Sequence, residues 1–145
     1  MSESVQKLSE TYQAKDRKFF DLIEEGDLKT PETLKHLAVR IRQSDRKRKA
    51  LIISQLLKVY ANKTGTSLIF CNKKEEVNEL SSKLRQYKVE NEPLHSEIPQ
   101  LEREIAYKHF NSGRLKCIVA TNVAARGLDF PEIDVIIQAE PPTKV

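Results

Sequence analysis

Three polar clusters in this chain carry residue types suited to a phosphate-rich ligand. Asn72 and Lys73 follow the apolar run Ser67-Leu68-Ile69-Phe70-Cys71. His95-Ser96-Glu97, and then Gln100 and Arg103, follow a second short apolar stretch. Thr121 and Asn122 open a third cluster that runs through Arg126 and Gly127 to Asp129. An amide and a guanidinium three residues apart share one face of a helix. On a first turn they sit beside free N–H groups and the positive end of the helix dipole, a setting that favours phosphate. Gln100 and Arg103 could therefore grip a polyanionic backbone, and Thr121 would add a hydroxyl donor. Asp129 repels phosphate. Its carboxylate is better placed to accept from hydroxyls such as those of ribose, or to pair with Arg126. Taken alone, Arg103 could instead pair with Glu102 or Glu104 at the surface.

Other chemistries find little support. Six positions after Cys71 and Cys117 stand Val77 and Val123, which excludes a C-x5-R phosphatase loop. Both cysteines lie in apolar runs and read as core residues. His36, His95 and His109 show no ligand-like spacing with cysteine or carboxylate, so no metal site is expected.

The clusters need elements to position them. Lys74–Lys88 and Pro99–Ser112 have the apolar spacing of amphipathic helices. Val77, Leu80, Leu84 and Tyr87 face inward on the first, and Leu101, Ile105, Ala106 and Phe110 on the second. Gly113 suits the position just past a helix end. Ser44–Asn62 predicts another helix, with Ile53, Leu56, Leu57 and Tyr60 on one face. Short apolar runs at 67–71, 89–95, 115–120 and 133–138 read as strands. Strands of five or six residues alternating with helices of about fifteen imply βαβ units and a parallel sheet with helices on both faces. In such sheets ligands bind beyond the carboxyl ends of the strands, and all three clusters fall there. A further helix is expected from Ser4 to Glu24, with Val5, Leu8, Tyr12, Phe19 and Ile23 at helical spacing. Thr30–Arg42 fits either a helix or alternation along a strand, and pattern alone slightly favours the helix.

Composition bounds the rest. The chain has 145 residues, 39% hydrophobic and 32% charged, enough for a core of one domain. No apolar run approaches the ~18 residues of a membrane span. The first ten residues lack the apolar stretch of a secretory signal, and two cysteines make no disulfide framework. None of the four glycines begins a G-x-x-x-x-G-K-[ST] or G-x-G-x-x-G motif, so the chain holds neither a P-loop nor a dinucleotide fingerprint. The net charge is +4. Residues 35–49 carry seven Lys or Arg against Asp45, a local +6, which leaves −2 for the remainder. That run could touch nucleic acid or serve in nuclear import, but a solvated surface is the simpler reading.

Three segments together resemble the second RecA-like domain of a DEAD-box RNA helicase. Ser-Leu-Ile-Phe-Cys-Asn (67–72) resembles motif IV, and Leu-His-Ser-Glu-Ile-Pro-Gln-Leu-Glu-Arg-Glu (94–104) resembles the QxxR motif. Ile-Val-Ala-Thr-Asn-Val-Ala-Ala-Arg-Gly-Leu-Asp-Phe-Pro (118–131) resembles motif V. Order and spacing are those of the family. Thr-Asn at 121–122, where most of the family has Thr-Asp, is similar to the nucleolar Gu (RNA helicase II) subgroup. The resemblance implies an α/β three-layer parallel sheet, RecA-like, incomplete at its C-terminus. It divides the chain into residues 1–29, the end of helicase domain 1 and a linker, and residues 30–145, domain 2 stopping before motif VI. It also implies a strand at about Leu34–Ile41, against the bare pattern. For sites, it implies that Asn72, Gln100, Arg103, Thr121 and Asn122 meet RNA. Gly127 and Asp129 would approach ATP, with Asp129 on the ribose. Arg126 would help join the two domains, and Phe70 would pack beneath the motif IV loop. His95-Ser96 stands where the family has His-Gly, and Asn122 where it has Asp; both changes fall at the expected RNA face. The partners implied are RNA and helicase domain 1, with ATP and Mg2+ as cofactors of the complete enzyme, in an intracellular, nuclear or cytoplasmic, monomeric protein. The P-loop, the DEAD box and the arginine finger of motif VI are absent, so this chain alone is expected not to hydrolyse ATP. The rival reading is a non-catalytic RNA- or protein-binding module.

Overall fold

A computed structural model describes residues 3–13, 16, 18, 33–42, 48–61, 65–125, 128–130 and 132–141. The chain divides into two compact units, Met1–Val39 and Arg40–Val145.

In the first unit, α1 spans Glu3–Tyr12. Val5, Leu8 and Tyr12 line one side of it, as their spacing requires, and all three are exposed. Of the helix predicted from Ser4 to Glu24, the described residues are helical through Tyr12. Gln13, Asp16 and Lys18 are not helical, and most of 14–32, including Phe19 and Ile23, lies outside the described residues.

The strand expected at Leu34–Ile41 does not form. Residues 34–42 are irregular, and Leu34, Leu37 and Val39 are exposed. A strand exists through its ladder, and none of the described strands pairs with this segment.

The second unit is a βα array. Helix α2 (Lys49–Tyr60) leads into β1 (Ser67–Cys71), α3 (Lys74–Gln86), β2 (Glu92–Leu94), α4 (Gln100–Asn111), β3 (Cys117–Thr121), the single turn α5 (Asn122–Ala125) and β4 (Val135–Gln138). The strands form one sheet of order β2-β3-β1-β4, and every pairing is parallel. The two central strands are the apolar ones. Ile69, Ile118, Val119 and Ala120 are fully buried, as a strand covered on both faces must be.

Alternation along the strands feeds two cores. On one face, Ile69, Cys71 and Val119 meet Ile53 and Leu57 of α2 and Val77, Leu80 and Leu84 of α3. On the other, Leu68, Ile118 and Ala120 meet Phe110 of α4. The result is the expected three-layer sheet.

Two glycines mark tight geometry. Gly113 has φ +72° just past α4, the left-handed conformation open to a residue without Cβ. At Gly65 the backbone lies so close to α2 that a Cβ would stand 1.9 Å from the Ala61 carbonyl oxygen. Beyond it, Thr66 and Asp134 register the starts of β1 and β4. Thr66 N donates to Asp134 Oδ2 at 2.7 Å, and Asp134 N donates to Thr66 O at 3.1 Å.

Helix α4 corrects the sequence reading. Leu101 and Ile105 are exposed, at 69% and 44%, although spacing places them inward with Ala106 and Phe110. The arc turned toward the sheet is instead Arg103, Ala106, Tyr107 and Phe110, an i, i+3, i+4, i+7 set in its own right. Phe110, almost fully buried, fixes that rotation by its volume, and the rotation carries Arg103 into partly buried surroundings. Tyr60 and Tyr87, also predicted inward, are exposed at the last turns of their helices. The basic run at 35–49 is only partly within the described residues. Arg40, Arg42 and Arg48 are exposed, and 43–47 lie outside.

Candidate nucleic-acid and nucleotide interface

Parallel register brings the polar clusters to one edge of the sheet. Cys71 pairs with Thr121 and Leu94 with Ala120, so β1, β2 and β3 end at one level. The segments after them emerge side by side.

At the end of β1, the backbone N–H of Lys73 donates to Glu76 Oε2 at 3.2 Å, closing the first turn of α3. Asn72 is half-buried, and its Nδ2 donates to the carbonyl of Pro141 at 2.8 Å. The same segment after β4 is held by Ala139 N to Phe70 O at 2.8 Å and by Lys49 Nζ to Glu140 Oε1 at 2.6 Å. One of the two Asn72 amide hydrogens is thus engaged within the fold, which leaves the other, and the carbonyl oxygen, for other contacts.

At the end of β2, His95 is buried. Its Nε2 lies 3.0 Å from Asn78 Oδ1 of α3, and its Nδ1 has no partner among the described residues. Ser96 is exposed. Glu97 pairs with Lys74 of α3. Their hydrogen bond, and then their opposite charges, hold the Glu97 carboxyl below the usual carboxylate range and the Lys74 ammonium above its ordinary value. Two links therefore tie the β2–α4 loop to α3 and fix where α4 starts. Gln100 is exposed on the first turn, and its Nε2 donates to Glu104 Oε1 at 2.9 Å. Arg103 makes no ion pair with Glu102 or Glu104. Its Nε is sealed from water and has no hydrogen-bond partner among the described residues.

At the end of β3, Thr121 Oγ1 accepts from Ala124 N at 3.4 Å, and Asn122 and Val123 are exposed. Arg126 and Gly127 lie outside the described residues. Leu128 and Phe130 pack onto the α4-side core, and alternation turns Asp129 between them to solvent. The Tyr107 hydroxyl of α4 donates to the main-chain carbonyl of Asp129. Neither Tyr107, Asn78 nor the Lys74–Glu97 pair stood out in the sequence. The available signal was the spacing of Tyr107, four residues after Arg103 and therefore on the same face.

The cysteines are core residues. Burial pushes the Cys71 thiol up to about 12, and it pushes Cys117 up to about 11. Among the described residues no group of three His, Cys, Asp or Glu could hold a metal ion.

This architecture, a parallel sheet covered by helices on both faces with polar loops gathered at the strand ends, is similar to the RecA-like C-terminal domains of solved DEAD-box proteins. The chain belongs to the helicase conserved C-terminal domain family, whose model matches residues 48–145. Within that family its relatives are DEAD-box RNA helicases. It is 41% identical over 125 residues to Nucleolar RNA helicase 2 of Rattus norvegicus, an alignment covering 86% of this chain and 16% of that protein. It is 38% identical over 141 residues to ATP-dependent RNA helicase DDX50 of Homo sapiens, covering 97% of this chain and 19% of that one. Among solved structures it is similar to Saccharomyces cerevisiae Dbp5 bound to RNA and ADP BeF3. That likeness has a TM-score of 0.60 at 31% identity and covers 68% of this chain and 25% of Dbp5. The chain thus spans less than a fifth of either curated relative.

Proposed function

We propose that this chain is the C-terminal half of the core of an ATP-dependent RNA helicase. It supplies backbone contacts to RNA and one edge of an ATP site, and the complete enzyme separates or remodels RNA duplexes. Residues 30–145 form this half. Residues 1–29 are the end of the first helicase domain and the linker after it. The enzyme acts in the nucleus, in keeping with the nucleolar name of its relative.

One observation carries the reading. Arg103 holds a cationic side chain on the partly buried arc of α4, and among the described residues its Nε is sealed and without a partner and no carboxylate pairs with its guanidinium. The rest of its guanidinium can offer a charge-assisted hydrogen bond to an RNA phosphate, whereas the sealed Nε is beyond a phosphate's reach. Gln100, one turn earlier, and Thr121 lie at the same sheet edge. Asn122 faces solvent beside them, and Asn72 keeps one amide hydrogen to donate.

The residues fit one side of a nucleotide. The exposed Asp129 carboxylate can accept from ribose hydroxyls; by the family resemblance, Gly127 would approach the nucleotide and Arg126 would link to the first domain. They do not fit a triphosphate cradle or a Mg2+ site, since the sequence has no P-loop. Asp129 is also flanked by apolar Leu128 and Phe130. Both of those functions therefore belong to the first domain, and the chain alone does not turn over ATP.

The test is to join the chain to the first helicase domain of a nucleolar RNA helicase 2 relative. RNA-stimulated ATP hydrolysis is expected from the joined enzyme and none from the chain alone. Turnover by the purified chain would overturn the division of labour. Salt-sensitive RNA binding without turnover in the joined enzyme would favour a non-catalytic RNA-binding module.

A further inference from the structure

We propose that Tyr107 is a positioning residue that fixes Asp129, and so the nucleotide edge, to the helix that carries the RNA-contacting pair. The proposal rests on the reading of Asp129 and Arg103 given above. Four observations converge on it. The Tyr107 hydroxyl donates to the main-chain carbonyl of Asp129, the residue whose side chain faces solvent. The Tyr107 ring meets Phe130 edge-on, with centroids 5.7 Å apart. Phe110, one turn further along α4, also meets the Phe130 ring edge-on, with centroids 5.6 Å apart. Finally, Tyr107 sits one turn after Arg103 on the sheet-facing arc of α4.

Packing alone does not call for a hydroxyl here. A phenylalanine ring would make the same edge contact with Phe130. A partly buried tyrosine places its O–H on a partner, and the partner chosen is the carbonyl of the one polar side chain in the segment 128–130. Leu128 and Phe130 anchor that segment by burial, and burial is tolerant of small slides. A directed hydrogen bond between them sets the rotation of the Asp129 peptide and therefore the direction of its carboxylate. Because the donor stands on α4, the setting is referenced to Arg103 and Gln100 rather than to β3.

The test uses Tyr107→Phe and Tyr107→Leu, in the 145-residue chain and in the joined enzyme described above, with ATP and single-stranded oligouridylate as probes. In the chain, Tyr107→Phe should move the 13C resonance of the Asp129 carbonyl and leave the melting temperature unchanged. Tyr107→Leu should move both. In the joined enzyme, Tyr107→Phe should raise KM for ATP by about two- to fivefold, the effect of one neutral hydrogen bond. It should leave kcat at saturating ATP, and RNA affinity without nucleotide, as they were. An unmoved carbonyl resonance, an unchanged KM, or a joint loss of KM, kcat and RNA affinity would each overturn the proposal. Asp129→Ala separates the two levels. If it leaves KM for ATP unchanged, the nucleotide edge itself is misplaced and both readings fall. If it raises KM while Tyr107→Phe does not, only the positioning role falls.

Discussion

Replacing Arg103 with methionine should separate what this side chain does for the fold from what it does for RNA. Among the described residues its Nε is buried without a partner, and no ion pair holds its guanidinium. Leaving such a donor dry costs about 1–3 kcal/mol. Methionine has similar reach, no donor, and the flexibility to fill an irregular gap. The variant should therefore be more stable by about 1 kcal/mol, a rise of about 4 °C in Tm for a chain of this size. RNA binding should move the other way. A hydrogen bond to a charged group contributes about 1.5–3 kcal/mol, so affinity for a single-stranded oligonucleotide should fall by about 10- to 150-fold. Loss of one phosphate contact should also reduce the slope of log K against log salt by about 0.7. Thermal melts, with fluorescence anisotropy of labelled oligouridylate at several salt concentrations, measure all three quantities. A lower Tm with RNA affinity changed by less than about threefold would show that the guanidinium serves the core, and the assignment of α4 to RNA would fail.

Three further outcomes follow from the geometry. Gly65→Ala should cost about 2–3 kcal/mol in urea denaturation, because the new methyl meets the Ala61 carbonyl and backbone must move; a change within about 0.5 kcal/mol would mean that the approach is looser than described. Cys71 and Cys117 should resist alkylation at pH 8 in the native chain and react once it is unfolded. Their buried thiols ionise only near 12 and 11, whereas the unfolded thiols ionise near 9 and are lost from the neutral pool first, so stability should fall as pH rises above 9. The Glu97 carboxyl should titrate below the ordinary carboxylate range in 13C NMR and return to it in Lys74→Met. Its folded value is depressed, so the contribution of the pair is present above the unfolded value and is lost as pH falls through the folded one. A Glu97 titration that is the same in both proteins would remove the Lys74 link.

Much of the fold was legible because burial leaves periodic marks. The runs at 67–71 and 115–120 read as strands covered on both faces, and α3 shows its buried stripe at Val77, Leu80 and Leu84. Once strands and helices alternate, a parallel sheet follows, and the polar clusters must emerge at its carboxyl edge. The types at Gln100, Arg103, Thr121 and Asp129, with their order along the chain, then pointed to phosphate and ribose.

Tertiary structure decided what periodicity could not. Helix α4 contains two competing apolar arcs, one through Leu101 and Ile105 and one through Ala106, Tyr107 and Phe110. The bulk of Phe110 and its contact with Phe130 select the second, at the expense of exposing two aliphatic residues and drying an arginine. Leu34–Ile41 reads as a strand by resemblance, yet a strand needs a neighbour with free donors and acceptors, which no local pattern can supply. The partners of Asn72 and Tyr107 lie at Pro141 and Asp129, far along the chain. By itself, then, the sequence determined which residue types reach the working edge, because alternation and turn positions are local. Only the packed sheet decided which of those side chains are already engaged, as the Asn72 amide is in part, and which stay without a partner among the described residues, as the Arg103 Nε does, because hydrogen-bond satisfaction is a property of long-range neighbours.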